Sequence, residues 1–410
     1  MNRRDFLATT PLLAGPLPAV AGPDRRYADL DAAAARPVLR RELFPDPVKI
    51  VVVELLRYAD NFICRVRSEA GAEGVSVSNN MQMQYLYPIQ VQRINPFFVG
   101  KDARDLDALI EGVYTFKSNY KLQSLALWVP LATVEFAILD MLGKLVQQPI
   151  GELISDRIYL PSVPVYQANN HRGKSAKESL ERILETTKRT GAKAVKFKVA
   201  GRMLDPDHPA GRSEKLIPMV REAFGDDMTI YADANGGYDV ADAIRIGKLM
   251  ADYQYDFYEE PIAFDRYEDL KRVAKKVKIP LAGGEQESSL YNFRYLIGED
   301  VLDVVQPDIF YFGGMVRSLK VARMAAVKGK ICVPHISGSG LGFLYMAHFV
   351  SALPNAGPYH EFKEKTRELP YECPTSTLRV ESGTLRVPTG PGLGVIIDPD
   401  YLAKHQVVEV

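Results

Sequence analysis

Apolar runs in the second half of the chain keep ending on a charged residue. Ala194-Val-Lys-Phe-Lys carries Lys196 and Lys198, Thr229-Ile-Tyr-Ala-Asp carries Asp233, and Phe257-Tyr-Glu-Glu carries Glu259 and Glu260. Leu281-Ala-Gly-Gly-Glu ends on Glu285, the run from Val304 on Asp308, Ile331-Cys-Val-Pro-His on His335, and Tyr359-His-Glu on Glu361. Taking one residue per run from Asp233, the steps are 26, 26, 23, 27 and 26 residues. A strand, a helix and two loops take about 25–30 residues in a βα unit. Short apolar runs read as strands buried on both faces, as in parallel sheets. Between them, 240–250 and 316–326 place apolar residues at three- and four-residue steps, a helical period. The expected fold is α/β: a modified (β/α)8, TIM-like barrel over 161–375, its strand-end charges gathered at the C-terminal mouth where such barrels do chemistry.

The rest of the chain alternates differently. The segments starting at Lys49, Asn61 and Glu73 read as three antiparallel strands with Gly-rich turns, and Ala103–Tyr114 and Ala132–Leu145 read as helices. Residues 48–160 are therefore expected to form an α+β domain that caps the barrel. The runs Thr377-Leu-Arg-Val and Gly394-Val-Ile-Ile, with no helical pattern between them, are expected to return residues 376–410 to that domain. Ser76–Pro88, polar and rich in Met and Tyr, reads either as a loop over the mouth or as a surface loop with an apolar anchor. Residues 22–47 read as a loose, charged connector, or as a segment packed on the body.

Residues 1–21 follow another logic. Arg3-Arg4 precede an apolar stretch, Leu7–Val20, and Ala19-Val-Ala21 makes a small-residue cleavage site. That order resembles a twin-arginine export signal and implies a periplasmic protein, or a cytoplasmic one if the segment is not a signal.

Composition narrows the function. Fifty-one basic residues balance 51 acidic ones, so neither a nucleic-acid face nor an acidic tail is expected. No uninterrupted apolar run reaches the roughly 18 residues of a membrane span. Cys64, Cys332 and Cys373 are widely spaced with no CxxC; Cys64 and Cys332, in apolar runs, read as buried thiols.

Three carboxylates on consecutive strand ends, Asp233, Glu259 and Glu285, can converge on one point. An all-oxygen donor set suits Mg2+, with Mn2+ as the alternative ion. Strand alternation lets only one of Glu259 and Glu260 face inward, and puts Lys196 and Lys198 on one face. Asn235, two residues past Asp233, shares its face and supports the site. Asp308 and His335 close adjacent strands, so a hydrogen bond between them would orient the imidazole. His171 ends the first barrel strand, as a substrate contact or a solvated loop residue; His208, His348, His360 and His405 read as structural.

In combination, Lys196-x-Lys198, Asp233-Ala-Asn235, Glu259-Glu-Pro261, Gly-Gly-Glu285, Asp308, His335, Glu361 and the late Pro-Gly-Leu-Gly394 resemble the mandelate racemase subgroup of the enolase superfamily, over about residues 48–398. The resemblance makes Glu259 the ligand rather than Glu260, Lys198 a base and Lys196 a binder of the substrate carboxylate that tunes Lys198. It also makes His335 with Asp308 the acid or base on the other face, and Glu361 a hydrogen-bonding partner of that carboxylate. It implies Mg2+-dependent removal of an α-proton to give an enediolate. The expected outcome is dehydration of an acid sugar to a 2-keto-3-deoxy acid. Racemisation or epimerisation of a 2-hydroxy acid and cycloisomerisation of a sugar lactone are the alternatives, and a non-catalytic sugar-acid binding protein stands outside the class. No second lysine follows the sixth strand, which departs from the muconate-lactonising pattern. A small carboxylate is the expected partner, within a homo-oligomer.

Overall fold

The structure is a computed structural model that describes residues 25–172, 175–205, 207–337, 340–362 and 369–410; the expected export signal, 1–21, lies outside the described residues. Three antiparallel strands, β1 (Ile50–Tyr58), β2 (Asn61–Ser68) and β3 (Glu73–Val77), form a meander. Against it lies the helix Leu125–Val146. The two meet closely at Gly74, where a Cβ would fall 2.1 Å from the carbonyl oxygen of Ala137. That helix is long and apolar enough to cross a membrane, but 89% of its most apolar window is buried inside the protein, so it is a core helix.

Eight parallel strands follow: β4 (Ser162–Asn169), β5 (Ala194–Lys198), β6 (Thr229–Asp233), β7 (Phe257–Glu259), β8 (Leu281–Gly283), β9 (Val304–Val305), β10 (Ile331–Cys332) and β11 (His360–Phe362). They pair in chain order from β4 to β10, and β11 pairs with β4. The ring closes through Cys332, whose N–H donates to Asn355 O at 2.9 Å and whose carbonyl accepts from Gly357 N at 3.0 Å. Among the described residues seven helices fill the crossovers, Val240–Asp252 and Met315–Val327 with them, as the apolar period predicts. Ala176–Thr190 shows why they form where they do. Ser175 and Glu178 make a capping box at its start, Gly191 takes the left-handed turn at its end, and Ala176, Ser179, Ile183 and Thr187 bury one stripe.

Three expectations need correction, and of its two readings the connector takes the packed one. The segment Ser76–Pro88 is not a loop: Ser76 and Val77 end β3, and Asn80–Ile89 is a helix. Asn79 caps it by accepting from Gln82 N, and Met and Gln are good helix formers. Pro88 sits inside its last turn rather than stopping it earlier. The connector is not loose: Ala28–Ala35 is a helix against Met315–Val327, with Leu30 buried, and Asp107 accepts from Val38 N and Leu39 N. The long helix starts at Leu125, seven residues before the expected Ala132, and carries Pro130 inside its second turn. Finally, β13 (Val380–Glu381) and β14 (Thr384–Arg386) form a hairpin on β4 of the barrel, and β12 (Tyr371–Glu372) pairs with β15 (Ile396–Ile397). Gly392 and Leu393 do return to the first domain as expected, bonded to Gln148, Ile150 and Asp140, and β16 (Gln406–Val407) joins the meander beside β1. Cys64 and Cys332 are buried thiols, as expected.

The meander's helix is pinned to the barrel from within. Phe136 stacks on Tyr345 at 4.1 Å. Glu135 accepts from the backbone N–H groups of Met315 and Val316, at the start of Met315–Val327. Burial pushes the Glu135 carboxyl from its ordinary 4.5 up to about 8, against the pull of those two N–H groups. A folded pKa above the unfolded value means the native state keeps a proton that the unfolded chain has released. The resulting stabilisation is complete below about pH 4.5 and fades as pH rises towards 8. Glu135→Gln, which cannot ionise, is therefore expected to lose less Tm than the wild type across that window, measured by thermal melts. Equal losses would contradict this role.

Candidate active site

The floor of the site is aromatic. Tyr231 and Phe257 stack at 3.7 Å, Tyr166 meets Tyr231 edge-on at 5.4 Å, and Ala194, Ala282, Val304 and Val333 complete a dry layer across the barrel. Inward positions recur every second residue along a strand. Two residues beyond Ala194, Tyr231, Phe257, Val304 and Val333 stand Lys196, Asp233, Glu259, Gln306 and His335. A charged layer thus lies directly on an apolar one. On β8 the count is broken by Gly284, whose φ of +112° only glycine adopts readily and where a Cβ would fall 2.5 Å from the Phe293 ring. That turn brings Glu285 to face Asp233 and Glu259.

Asp233, Glu259 and Glu285 each offer a carboxylate oxygen within 4.8 Å of the others, and all three are buried. Lys198 Nζ bonds Asp233 Oδ2. Lys196 Nζ lies 2.7 Å from both oxygens of Glu259, 3.8 Å from Glu361 Oε1, and over the Tyr166 ring. Gln306 Nε2 donates to Glu259 Oε2 at 2.8 Å. Burial pushes Glu259 up to about 7, against the pull of Lys196, and the charges of Asp233 and Glu285 push the same way. Asp233, though equally buried, is held below the usual carboxylate range by Lys198 and Lys196. Burial works against the charge of Lys196, but the acids around it, Glu259 first, hold its ammonium well above the ordinary lysine range.

His335 faces this group from the end of β10. Its Nδ1 lies 2.6 Å from Asp308 Oδ2, and its Nε2 lies 3.3 Å from Glu285 Oε2 and 3.6 Å from Glu361 Oε2. The other oxygen of Asp308 accepts from Phe310 N and Tyr311 N, both at 2.8 Å. Asn235 donates its backbone N–H to Asp233 Oδ1 at 2.7 Å and its amide to Glu260 Oε2 at 3.2 Å.

A cavity of about 500 Å3 opens above these residues, lined by Lys198, Glu285, His335 and Glu361 with Arg202, Gln286, Tyr311 and Ser337. One sequence expectation gives way here, and His171 falls on its loop reading. Glu260 reaches the cavity as well as Glu259 reaching the triad, because its φ of +41° ends the alternation. Burial, and after it the charges of Glu285 and Asp233, raise its carboxyl well above the usual range. His171 turns to Arg182, its Nε2 3.4 Å from Nη1, and the preceding residue, Asn170, lines the cavity instead. His348 and His360 are buried, each bonded to a backbone carbonyl. Gln306, Tyr311 and Ser337 escaped the sequence reading. Gln306 was legible as the alternate position before Asp308, whereas Tyr311 and Ser337 lie in turns where no period applies.

The comparisons with known proteins agree with this geometry. The family model described as Enolase C-terminal domain-like matches residues 178–401. The chain is 28% identical to a D-galactarolactone cycloisomerase of Agrobacterium fabrum over 326 residues, covering 77% of this chain and 84% of that protein. It is 26% identical to an arabinonate dehydratase of Saccharolobus solfataricus over 316 residues, covering 76% and 81%. Among solved structures it resembles a mandelate racemase/muconate lactonizing protein of Paracoccus denitrificans complexed with magnesium, with a TM-score of 0.77 and 26% identity over 88% of this chain and 99% of that one. With an acidic triad, a lysine pair and a histidine–aspartate pair on successive strands of one barrel, the chain belongs to the Enolase C-terminal domain-like family.

Proposed function

We propose that this enzyme removes the α-proton of a hydroxy carboxylate and dehydrates an acid sugar to a 2-keto-3-deoxy acid. The observation that carries the reading is the pair Lys198 and His335, which flank one acidic triad from β5 and from the end of β10. Asp233, Glu259 and Glu285 would hold the cation. Their donor set is all oxygen, and their crowded negative charge, which adds to burial in raising the Glu259 carboxyl, is what a divalent ion relieves. When bound, Mg2+ supplies Lewis-acid stabilisation of charge on the substrate carboxylate. Asn235 steadies Asp233, and Gln306 steadies Glu259.

Lys196, held charged by its acid neighbours, binds the substrate carboxylate with Glu361 beside it. Lys198 takes the α-proton. His335, oriented by Asp308, gives its proton to the β-hydroxyl, which leaves as water, and the enol relaxes to the keto acid. Asn170, Arg202 and Gln286 face the rest of the cavity and suit a chain of hydroxyls. The dehydratase relative supports this outcome. The cycloisomerase relative supports a second reading, in which the same lysine opens a sugar lactone by the same proton removal. Return of the proton by His335 on the opposite face would give racemisation instead.

A panel of sugar acids with Mg2+ tests the proposal. Keto acid is expected from at least one, with Lys198→Ala and His335→Asn each lowering kcat/KM by about 100- to 10,000-fold. Inversion or isomerisation with no keto acid would transfer the reading to the alternatives. Mg2+ titrated calorimetrically into metal-free protein is expected to bind at one equivalent. Below pH 7, where Glu259 keeps its proton, binding should release it. Glu285→Gln should abolish the binding, and Mg2+ affinity untouched by that change would contradict the site.

We further propose export by the twin-arginine route, which the order of Arg3-Arg4, the apolar stretch and Ala19-Val-Ala21 supports. Changing Arg3 and Arg4 together to lysine is expected to leave the protein in the cytoplasm on fractionation. Periplasmic protein from that variant would refute it.

A further inference from the structure

We infer that Asn79 and Ser337 are positioning residues for the His335–Asp308 pair, so that the domain carrying β1–β3 completes the acid side of the site. This rests on the reading of His335 given above, and the geometry is continuous. Asn79 is buried, and its Oδ1 accepts from Gln82 N at 3.3 Å as the cap of Asn80–Ile89. A backbone N–H can only donate, so the cap fixes which way the amide points and turns Nδ2 outward. Nδ2 lies 2.8 Å from Ser337 Oγ. Because the serine oxygen accepts there, its own proton is available to Asp308 Oδ1, 3.2 Å away. Asp308 Oδ2 holds His335 Nδ1 at 2.6 Å.

A second link runs in parallel. Gln82 Nε2 donates to the Tyr311 hydroxyl at 3.3 Å, and the backbone N–H of Tyr311 donates to Asp308 Oδ1. Val77 N donates to the Tyr345 hydroxyl at 2.8 Å and ties the preceding strand to the same side of the barrel. The carboxylate that orients the imidazole therefore has a third donor beyond Phe310 N and Tyr311 N, and this donor is itself set by the other domain. Hydrogen bonds in such a buried chain polarise one another, so removing the distal donor acts on the proximal pair.

Three variants separate this role from simple structural support. Serine is as good an N-cap as asparagine but is too short to reach Ser337, so Asn79→Ser keeps the helix start and removes the link. Ser337→Ala removes the hydroxyl, and Ser337→Thr restores it. The first readout needs no substrate: the Nδ1–H resonance of His335 in protein labelled with 15N-histidine, assigned by its loss in His335→Asn. It is expected far downfield in the wild type, shifted or broadened in Asn79→Ser and Ser337→Ala, and restored in Ser337→Thr. An unchanged resonance in the first two would overturn the inference.

The second readout is kinetic. Asn79→Ser and Ser337→Ala are expected to lower keto-acid formation about tenfold with little change in KM, while exchange of the α-proton facing Lys198 continues at the wild-type rate. Equal falls in both steps, or no fall in either, would overturn it. If no substrate is turned over, the dehydration reading fails, and the resonance alone decides the positioning claim.

Discussion

Three carboxylates within 4.8 Å of one another, buried at the foot of a cavity, cannot all stay charged without compensation. Asp233, Glu259 and Glu285 meet that constraint with two buried lysines, and the rest of the site follows from it. Lys198 draws Asp233 below the carboxylate range, Lys196 braces Glu259, and burial, with the charges of the two neighbouring acids, still raises Glu259 to about 7. A divalent cation would take over that balance and leave Lys198 facing the cavity beside it. The positions that would hold the ion and the position that would hold the base are thus one electrostatic unit, and a substitution in either changes both.

The barrel makes this unit affordable by layering. The Tyr166, Tyr231 and Phe257 rings seal the floor, so no water reaches the charges from below, and each strand delivers its charged residue one inward step above an apolar one. Departures from that rule occur where the chemistry needs them. Gly284 turns Glu285 inward, and the positive φ of Glu260 and Asn235 ends two strands so that their side chains reach the mouth. From above, the first domain closes the structure through Glu135 on one side and Asn79 on the other.

Much of this was legible in the sequence. Strands buried on both faces show as apolar runs, and a strand-end residue repeating about every 26 positions is a signature of βα units, so the barrel and the line from Lys196 to Glu361 could be read directly. What escaped lies where periodicity has no hold. The helix Asn80–Ile89 was hidden by its polar composition and by Pro88, and with it went Asn79, whose role depends on a cap that only a recognised helix start reveals. His171 and Asn170 are neighbours in a turn, where sequence cannot say which one faces the cavity. The runs at Thr377 and Gly394 lead into β13 and β15, but the docking of the β13–β14 hairpin on β4 and the pairing of β15 with β12 depend on tertiary contacts that no local pattern records.

The most direct test of the central claim is to incubate the Mg2+-loaded protein with sugar acids in deuterated water and follow the α-position by mass and proton resonance. The account predicts solvent deuterium at that carbon, in recovered substrate or in isomerised product, or keto acid formed through its loss, in each case requiring Mg2+ and disappearing in Lys198→Ala. Loss of the α-proton that persists in Lys198→Ala, or a substrate converted with its α-proton retained, would contradict it.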